Sequence, residues 1–284
     1  MEIIRIADKI NKEIGSKKAN GFTVGFVPTM GALHPGHLSL INQSLVNNDL
    51  TVCSIFVNPT QFNDPADFEK YPVTIEEDIL LLEKTGCNFL FLPTVSQVYP
   101  NGLKNLKQYD LGHLETILEG KFRPGHFQGV CQVVHRLLEI TMPDNLYLGQ
   151  KDYQQCMIIK RLVEIMGISE KIKVSICPTQ REANGLAMSS RNKRLSDGEK
   201  KLAESISTSL QMLKENIQPG SVTNYIKEAM VFLLNKGFKI DYIEIADAET
   251  LEIKTEWDGK EKLVALVAVF LNEVRLIDNM LIRS

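Results

Sequence analysis

The sequence predicts an α/β fold: a Rossmann-like doubly wound parallel sheet followed by a smaller C-terminal α+β domain. Two observations predict it. Over about the first 180 residues, short runs rich in Val, Ile and Phe alternate with stretches whose apolar residues recur at helical spacing, the pattern of a parallel sheet with helices on both faces. Beyond that point the alternation stops, and two successive helical stretches lead into three strand-like runs. The division expected is 1–180 for the parallel-sheet domain and 181–284 for the smaller one.

Taken in order, strands are expected at 22–29 ("FTVGFVPT"), 50–58 ("LTVCSIFVN"), 87–93 ("CNFLFLP"), 145–150 ("NLYLGQ") and 172–179 ("IKVSICPT"). Helices fall between them at about 36–48, 74–85, 126–141 and 153–166. After the boundary stretch "PTQREANGLAMSSRNKRLS" come the helices "DGEKKLAESISTSLQMLKENI" and "SVTNYIKEAMVFLLNKG", split by "QPG". "FKIDYIEIADA", "KLVALVAVFL" and "EVRLIDNMLI" are the closing strands.

Composition narrows the function classes. The 284 residues are 44% hydrophobic and 24% charged with a net charge of -3, so no basic excess marks a nucleic-acid surface. The longest apolar run, "LVALVAVFL" at 263–271, is far short of a bilayer span, and the charged N-terminus "MEIIRIADKINKEIGSKK" lacks the apolar core of a signal peptide. Cys53, Cys87, Cys131, Cys156 and Cys177 form no CxxC pair and read as buried thiols in a reducing compartment. The expectation is a cytoplasmic protein with no nucleic-acid or membrane partner.

In an open parallel sheet, ligands bind outside the carboxyl ends of the strands. Four strand ends run into polar or Gly-rich sequence: "PTMGALHPGH", "NPTQF", "GQKDYQQ" and "PTQREANGLAMSSRNKR". In the first, Gly31 supplies a tight turn, Pro35-Gly36 opens a helix, and His34 and His37 project from its first turn. A helix N-terminus beside two imidazoles suits a phosphate. Zinc is disfavoured, because no third ligand follows at a characteristic spacing. Either histidine alone would more often simply pack or cap the turn. Lys151 can serve as a point charge for phosphate with Asp152 beside it, and Gln61 and Gln155 as neutral amides for a substrate's oxygens. "LAMSSRNKRLS" reads either as a charged linker or as a mobile basic loop that closes over a triphosphate.

These motifs carry a resemblance. "TMGALHPGH" resembles the HxGH signature of the nucleotidylyltransferase superfamily that includes class I aminoacyl-tRNA synthetases, and "MSSRN" resembles its basic loop. Together with "SIFVNPTQFNDPADFEKYP", "EGKFRPGHFQGV" and "YLGQKDYQQ", the set is similar to the pantothenate synthetase (pantoate–β-alanine ligase) family. The resemblance implies ATP and Mg²⁺, a pantoyl-adenylate intermediate formed from pantoate, and β-alanine as the second acceptor. It implies an ATP site of Met30, Gly31, Ala32, Leu33, His34, Pro35, Gly36 and His37, with His37 as proton donor. It further implies nucleotide contacts from Gly149, Gln150, Lys151, Asp152 and Pro178, and from Leu186, Ala187, Met188, Ser189, Ser190 and Arg191. Gln61 and Gln155 would bind pantoate, and Asn58, Tyr71, Arg123 and His126 would surround the second substrate. The metal would lie on the acidic residues after "KYP", Asp78 first and Glu77 next, with Glu76 also available. Family members are homodimers, so a homodimer is expected. The rivals are a nucleotidyltransferase that stops at a stable nucleotide product, and a non-catalytic nucleotide- or RNA-binding module.

Overall fold

The computed structural model describes residues 1–62 and 68–282. The chain forms two compact units: Met1–Gly149 with Ile158–Cys177, and Gln150–Met157 with the chain from Pro178 onward. The second unit thus takes in 150–157 together with the chain from 178.

The first unit is built on a parallel sheet of β1 (Glu2–Ile4), β2 (Val24–Thr29), β3 (Leu50–Ile55), β4 (Phe89–Phe91), β5 (Asn145–Gly149) and β6 (Lys173–Cys177). Its order is β1-β4-β3-β2-β5-β6. Registers run Val24↔Leu50 to Thr29↔Ile55 on one side of β2 and Gly25↔Asn145 and Phe26↔Leu146 on the other. Winding therefore reverses between β2 and β5, the position at which such sheets open a ligand crevice. Every residue of β3 is buried, as expected of a strand covered on both faces.

The helices α1 (Ala7–Ala19), α2 (Pro35–Asn47), α3 (Ile75–Thr85), α4 (Val95–Val98), α5 (Leu118–Phe122), α6 (His126–Thr141) and α7 (Tyr153–Ile165) include four close to those expected. The N-terminal stretch differs from expectation. It forms β1, whose three residues pair with β4, and α1, anchored by the buried Ile10 and Ile14. The expected strand 50–58 ends at Ile55, because the Asn58 side chain accepts from the Thr60 N–H and turns the chain into the short 3₁₀ helix Pro59–Gln61.

The second unit carries α8 (Asp197–Asn216), α9 (Thr223–Asn235) and an antiparallel sheet of β8 (Lys239–Asp247), β10 (Leu263–Leu271) and β11 (Val274–Leu281), ordered β11-β10-β8. Ser196 and Glu199 form a reciprocal capping box at the start of α8. A small ladder of β7 (Gly220–Ser221) and β9 (Glu256–Trp257) was not expected from the sequence. All five cysteines are buried as reduced thiols, and burial pushes the Cys87 thiol up to about 11.

Candidate active site

The histidine turn follows β2 directly. His34 is the N-cap of α2 and Pro35 fills the first helical position, where its missing N–H costs nothing. The His34 Nδ1 accepts from the Gly36 N–H at 3.2 Å. That bond places the ring proton on Nε2, so His34 presents a donor. The His37 ring lies against it, with centroids 4.0 Å apart and the planes tilted by 37°.

What holds the turn is Asp78, on the first turn of α3. Gly31 (φ 85°) and Ala32 (φ 49°) are both left-handed, a conformation an Ala adopts only when its surroundings impose it. The Asp78 carboxylate imposes it: Oδ2 accepts from the Ala32 N–H at 2.9 Å and Oδ1 from the Leu33 N–H at 2.7 Å. The Thr74 hydroxyl donates to Oδ1 at 3.3 Å. A Cβ on Gly31 would lie 3.0 Å from Asp78 Oδ2, so this turn requires glycine twice over. This alters the expectation for Ala32 and Leu33. Both are buried and their amides are committed to Asp78, so they hold the turn from behind. Asp78, expected on the metal, is first of all the anchor of the turn. With Met30, Gly31 and Ala32 it also lines a cavity of about 240 Å³, ample for an ion or water against its remaining lone pairs. Glu77 is exposed beside it. Among the described residues no three His, Cys, Asp or Glu side chains converge as a metal cluster.

The second constellation centres on Gln61. Its Nε2 reaches Met30 Sδ at 2.8 Å, and the Asn58 Nδ2 donates to its Oε1 at 3.3 Å and to the Gly129 carbonyl at 3.1 Å. Tyr99 donates to Asn58 Oδ1 at 3.0 Å. His126 contacts the Gln61 carbonyl through Nδ1 at 2.7 Å, while Arg123 Nη1 lies 3.2 Å from its Nε2. Because Arg donates only, Nε2 accepts and the proton sits on Nδ1, donated to Gln61. Asn58, Arg123 and His126, expected around a substrate, thus come together as the support of Gln61. Tyr71 packs edge-on to Phe62, the residue after Gln61, at 5.8 Å.

Gly149 ends β5 in the first unit, and the residues from Gln150 to Gln155 and from Pro178 on belong to the second. Lys151 Nζ lies 3.4 Å from Asp152 Oδ1. Gln155 is half-buried on the first turn of α7. The stretch 178–196 is a folded hairpin and turn: Arg181 bridges Ala187, the Met188 N–H donates to the Gln180 carbonyl at 2.9 Å, and Ser190–Arg194 is a 3₁₀ helix capped by Ser189. Asn192, buried, donates to the Ala187 carbonyl at 3.0 Å and to Glu182 at 3.1 Å.

A family model described as pantoate-beta-alanine ligase matches residues 2–281. The chain belongs to the pantoate–β-alanine ligase family. Relatives of this ligase-family chain include a pantothenate synthetase of Azobacteroides pseudotrichonymphae, 43% identical over 282 residues, covering 98% of this chain and 99% of the relative. The pantothenate synthetase of Bacteroides thetaiotaomicron is 42% identical over 280 residues, covering 98% of each. Among solved structures, a pantothenate synthetase from Thermus thermophilus superposes with a TM-score of 0.91 at 37% identity, covering 100% of both chains. A pantoate-beta-alanine ligase from Francisella tularensis, solved in complex with beta-gamma ATP and β-alanine, gives 0.81 at 38% identity over 99% of this chain and 98% of that one.

For this pantoate–β-alanine ligase relative, sequence reasoning missed Tyr99, Gly129 and the clamping role of Asp78. Gly129 sits in α6 where a Cβ would lie 2.2 Å from the Thr60 carbonyl oxygen. Only glycine lets α6 approach the turn that carries Gln61. No local signal distinguishes it from any other helical glycine.

Proposed function

We propose that the chain joins pantoate to β-alanine at the expense of ATP. The pantoate carboxylate attacks the α-phosphorus of ATP, forming pantoyl adenylate as the bond to pyrophosphate breaks. The amine of β-alanine then attacks the acyl carbon, and AMP leaves as the amide of pantothenate forms. One observation carries the reading: two histidines open a helix at the carboxyl end of β2, in a chain matched almost end to end by the ligase family model. The Francisella relative was solved with beta-gamma ATP and β-alanine, which supports the same substrate pair here.

Phosphoryl chemistry of this kind needs positioning and charge stabilisation more than a protein nucleophile. In this proposal His34 donates from Nε2 to a phosphate oxygen, and His37 is the proton donor to the departing pyrophosphate. Lys151 and Arg191 add positive charge on the phosphates. Met30, Gly36, Gly149, Gln150, Asp152 and Pro178 contact the nucleotide, and Leu186–Ser190 covers it. Gln61 and Gln155 hold pantoate. Bound Mg²⁺ would neutralise charge on the leaving pyrophosphate, and the hard carboxylates of Asp78 and Glu77 fit such an ion. Asn58, Tyr71, Arg123 and His126 hold Gln61 and shape the space for β-alanine. A homodimer acting in the cytoplasm completes the reading; sedimentation equilibrium tests the dimer. Among the described residues no helix is long and apolar enough to cross a membrane.

Mass spectrometry of products from ATP, Mg²⁺ and pantoate, with and without β-alanine, tests the reaction. AMP and pantothenate should accumulate only with β-alanine, and His37→Ala should slow them about 100-fold or more. Folded protein that forms no AMP would overturn the ligase reading, and a stable nucleotide product would point to simple nucleotidyl transfer.

A further inference from the structure

We propose that Asp278 and Asn279, neighbours on β11 within the second unit, are positioning residues for the adenylation step. Both are buried polar groups inside a strand. Asn279 Nδ2 donates to the carbonyl of Gln150 at 2.9 Å and to that of Lys151 at 2.8 Å, and its Oδ1 accepts from Gln150 Nε2 at 3.2 Å. Both donor hydrogens and the acceptor of one buried amide are thus used on two consecutive residues. Lysine is a point charge on a flexible stem, so the feature the protein can fix is its main chain. Asn279 fixes it.

Asp278 does the same for the other nucleotide segment, acting through Arg181. Arg181 grips the carboxylate with two bonds, Nη1 to Oδ2 at 2.6 Å and Nη2 to Oδ1 at 3.0 Å. The same guanidinium donates to the Gly185 carbonyl at 3.0 Å and the Asn279 carbonyl at 3.2 Å. The Asp278 Oδ1 also accepts from the Asn279 N–H at 2.8 Å. Arg181 and Gly185 are the root and tip of the hairpin that delivers Leu186–Ser190, closed by the Glu182 N–H on the Leu186 carbonyl at 2.8 Å. Two adjacent residues of one strand therefore set the spacing between the Gln150–Lys151 turn and the 186–190 stretch, both in the same unit. Positioning of this kind acts on the step that uses the triphosphate, because a displacement of about 1 Å there costs up to about 100-fold in rate. The inference rests on the nucleotide role given above to Lys151 and Leu186–Ser190.

The test separates the half-reactions. Pantoate-dependent exchange of pyrophosphate into ATP reports adenylation; release of pantothenate from separately supplied pantoyl adenylate and β-alanine reports the second step. Asn279→Asp keeps the shape but sets a carboxylate against two carbonyl oxygens. It should raise KM for ATP about tenfold or more and slow exchange to match, with aminolysis of supplied adenylate within about twofold of the parent. Arg181→Lys keeps the charge opposite Asp278 but loses the two-bonded grip and the carbonyl contacts, and should move the same readouts the same way by less. It serves as the test if Asn279→Asp does not fold. Equal loss of both half-reactions in step with thermal destabilisation would overturn the proposal in favour of simple structural support. Lys151→Ala runs beside them. If it raises KM for ATP while Asn279→Asp and Arg181→Lys do not, the proposal alone fails; if Lys151→Ala leaves ATP kinetics unchanged, the nucleotide reading beneath it fails.

Discussion

Replacing Asp78 by Asn changes one oxygen to an amino group and nothing in shape, so it isolates the clamp on the histidine turn. The carboxylate takes the Ala32 and Leu33 N–H groups at 2.9 and 2.7 Å inside a buried site. Hydrogen bonds to a charged acceptor contribute roughly 1.5–3 kcal/mol each, and a buried donor left unpaired costs roughly 1–3 kcal/mol. The Asp78→Asn side chain would keep one bond in weakened, neutral form and face the other N–H with its own amino group. Part of that loss is returned because the burial cost of a charge disappears. The net expectation is a destabilisation of about 2–3 kcal/mol. The left-handed Ala32 turn, no longer imposed, relaxes, and the His34 and His37 rings move with it. A shift of about 1 Å lowers kcat about 10- to 100-fold. Urea unfolding measures the first quantity and AMP formation at saturating substrates the second. An Asn variant with the parent's urea midpoint and kcat would refute the clamp. A variant of unchanged stability whose Mg²⁺ requirement rises steeply would assign the carboxylate to the metal instead.

Gly129→Ala should displace the Pro59–Gln61 turn, because the new Cβ would lie 2.2 Å from the Thr60 carbonyl oxygen; KM for pantoate should rise about tenfold with KM for ATP little changed, and equal effects on both would reject Gln61 as the affected group. His126→Phe leaves the buried Gln61 carbonyl without its imidazole donor, 2.7 Å away in the parent, and should cost about 1–3 kcal/mol in urea unfolding. Asp49 takes the Thr23 N–H and hydroxyl at 2.8 and 2.7 Å, and the backbone bond first, then the hydroxyl, hold its carboxyl below the ordinary 3.8. A lowered folded value means that its stabilisation is complete above 3.8 and lost as pH falls through the folded value. Asp49→Asn should therefore be less stable than the parent near neutral pH and converge with it in strong acid, as read by thermal melts; a gap that widens in acid would contradict this.

How much of this was legible in the sequence depended on how far away the deciding partner lay. The runs of β2, β3 and β10 are continuous and apolar because both faces of each are covered, and such runs can be read without knowing what covers them. The "MGALHPGH" turn was legible for the same local reason, since Gly, Pro and the two histidines act within one turn. β1 was not. Three residues followed by charges have no period of their own, and pairing with β4 makes them a strand. Asp78 was read from the sequence as a metal ligand, ahead of Glu77, and only the fold set it against the Leu33 amide, 45 positions away in the chain.

Asp278 and Asn279 differ from these, because a signal was present. Two adjacent polar residues break the closing apolar run "EVRLIDNMLI", and side chains adjacent along a strand point to opposite faces. A single buried network on one face could not satisfy both. Each needed its own partner, since an unpaired buried amide or carboxylate is costly. The structure supplies two: Arg181 for Asp278, and the Gln150–Lys151 main chain for Asn279. The sequence could thus announce two separate polar anchors at this strand, although only the folded chain could say that both lead to segments assigned to the nucleotide.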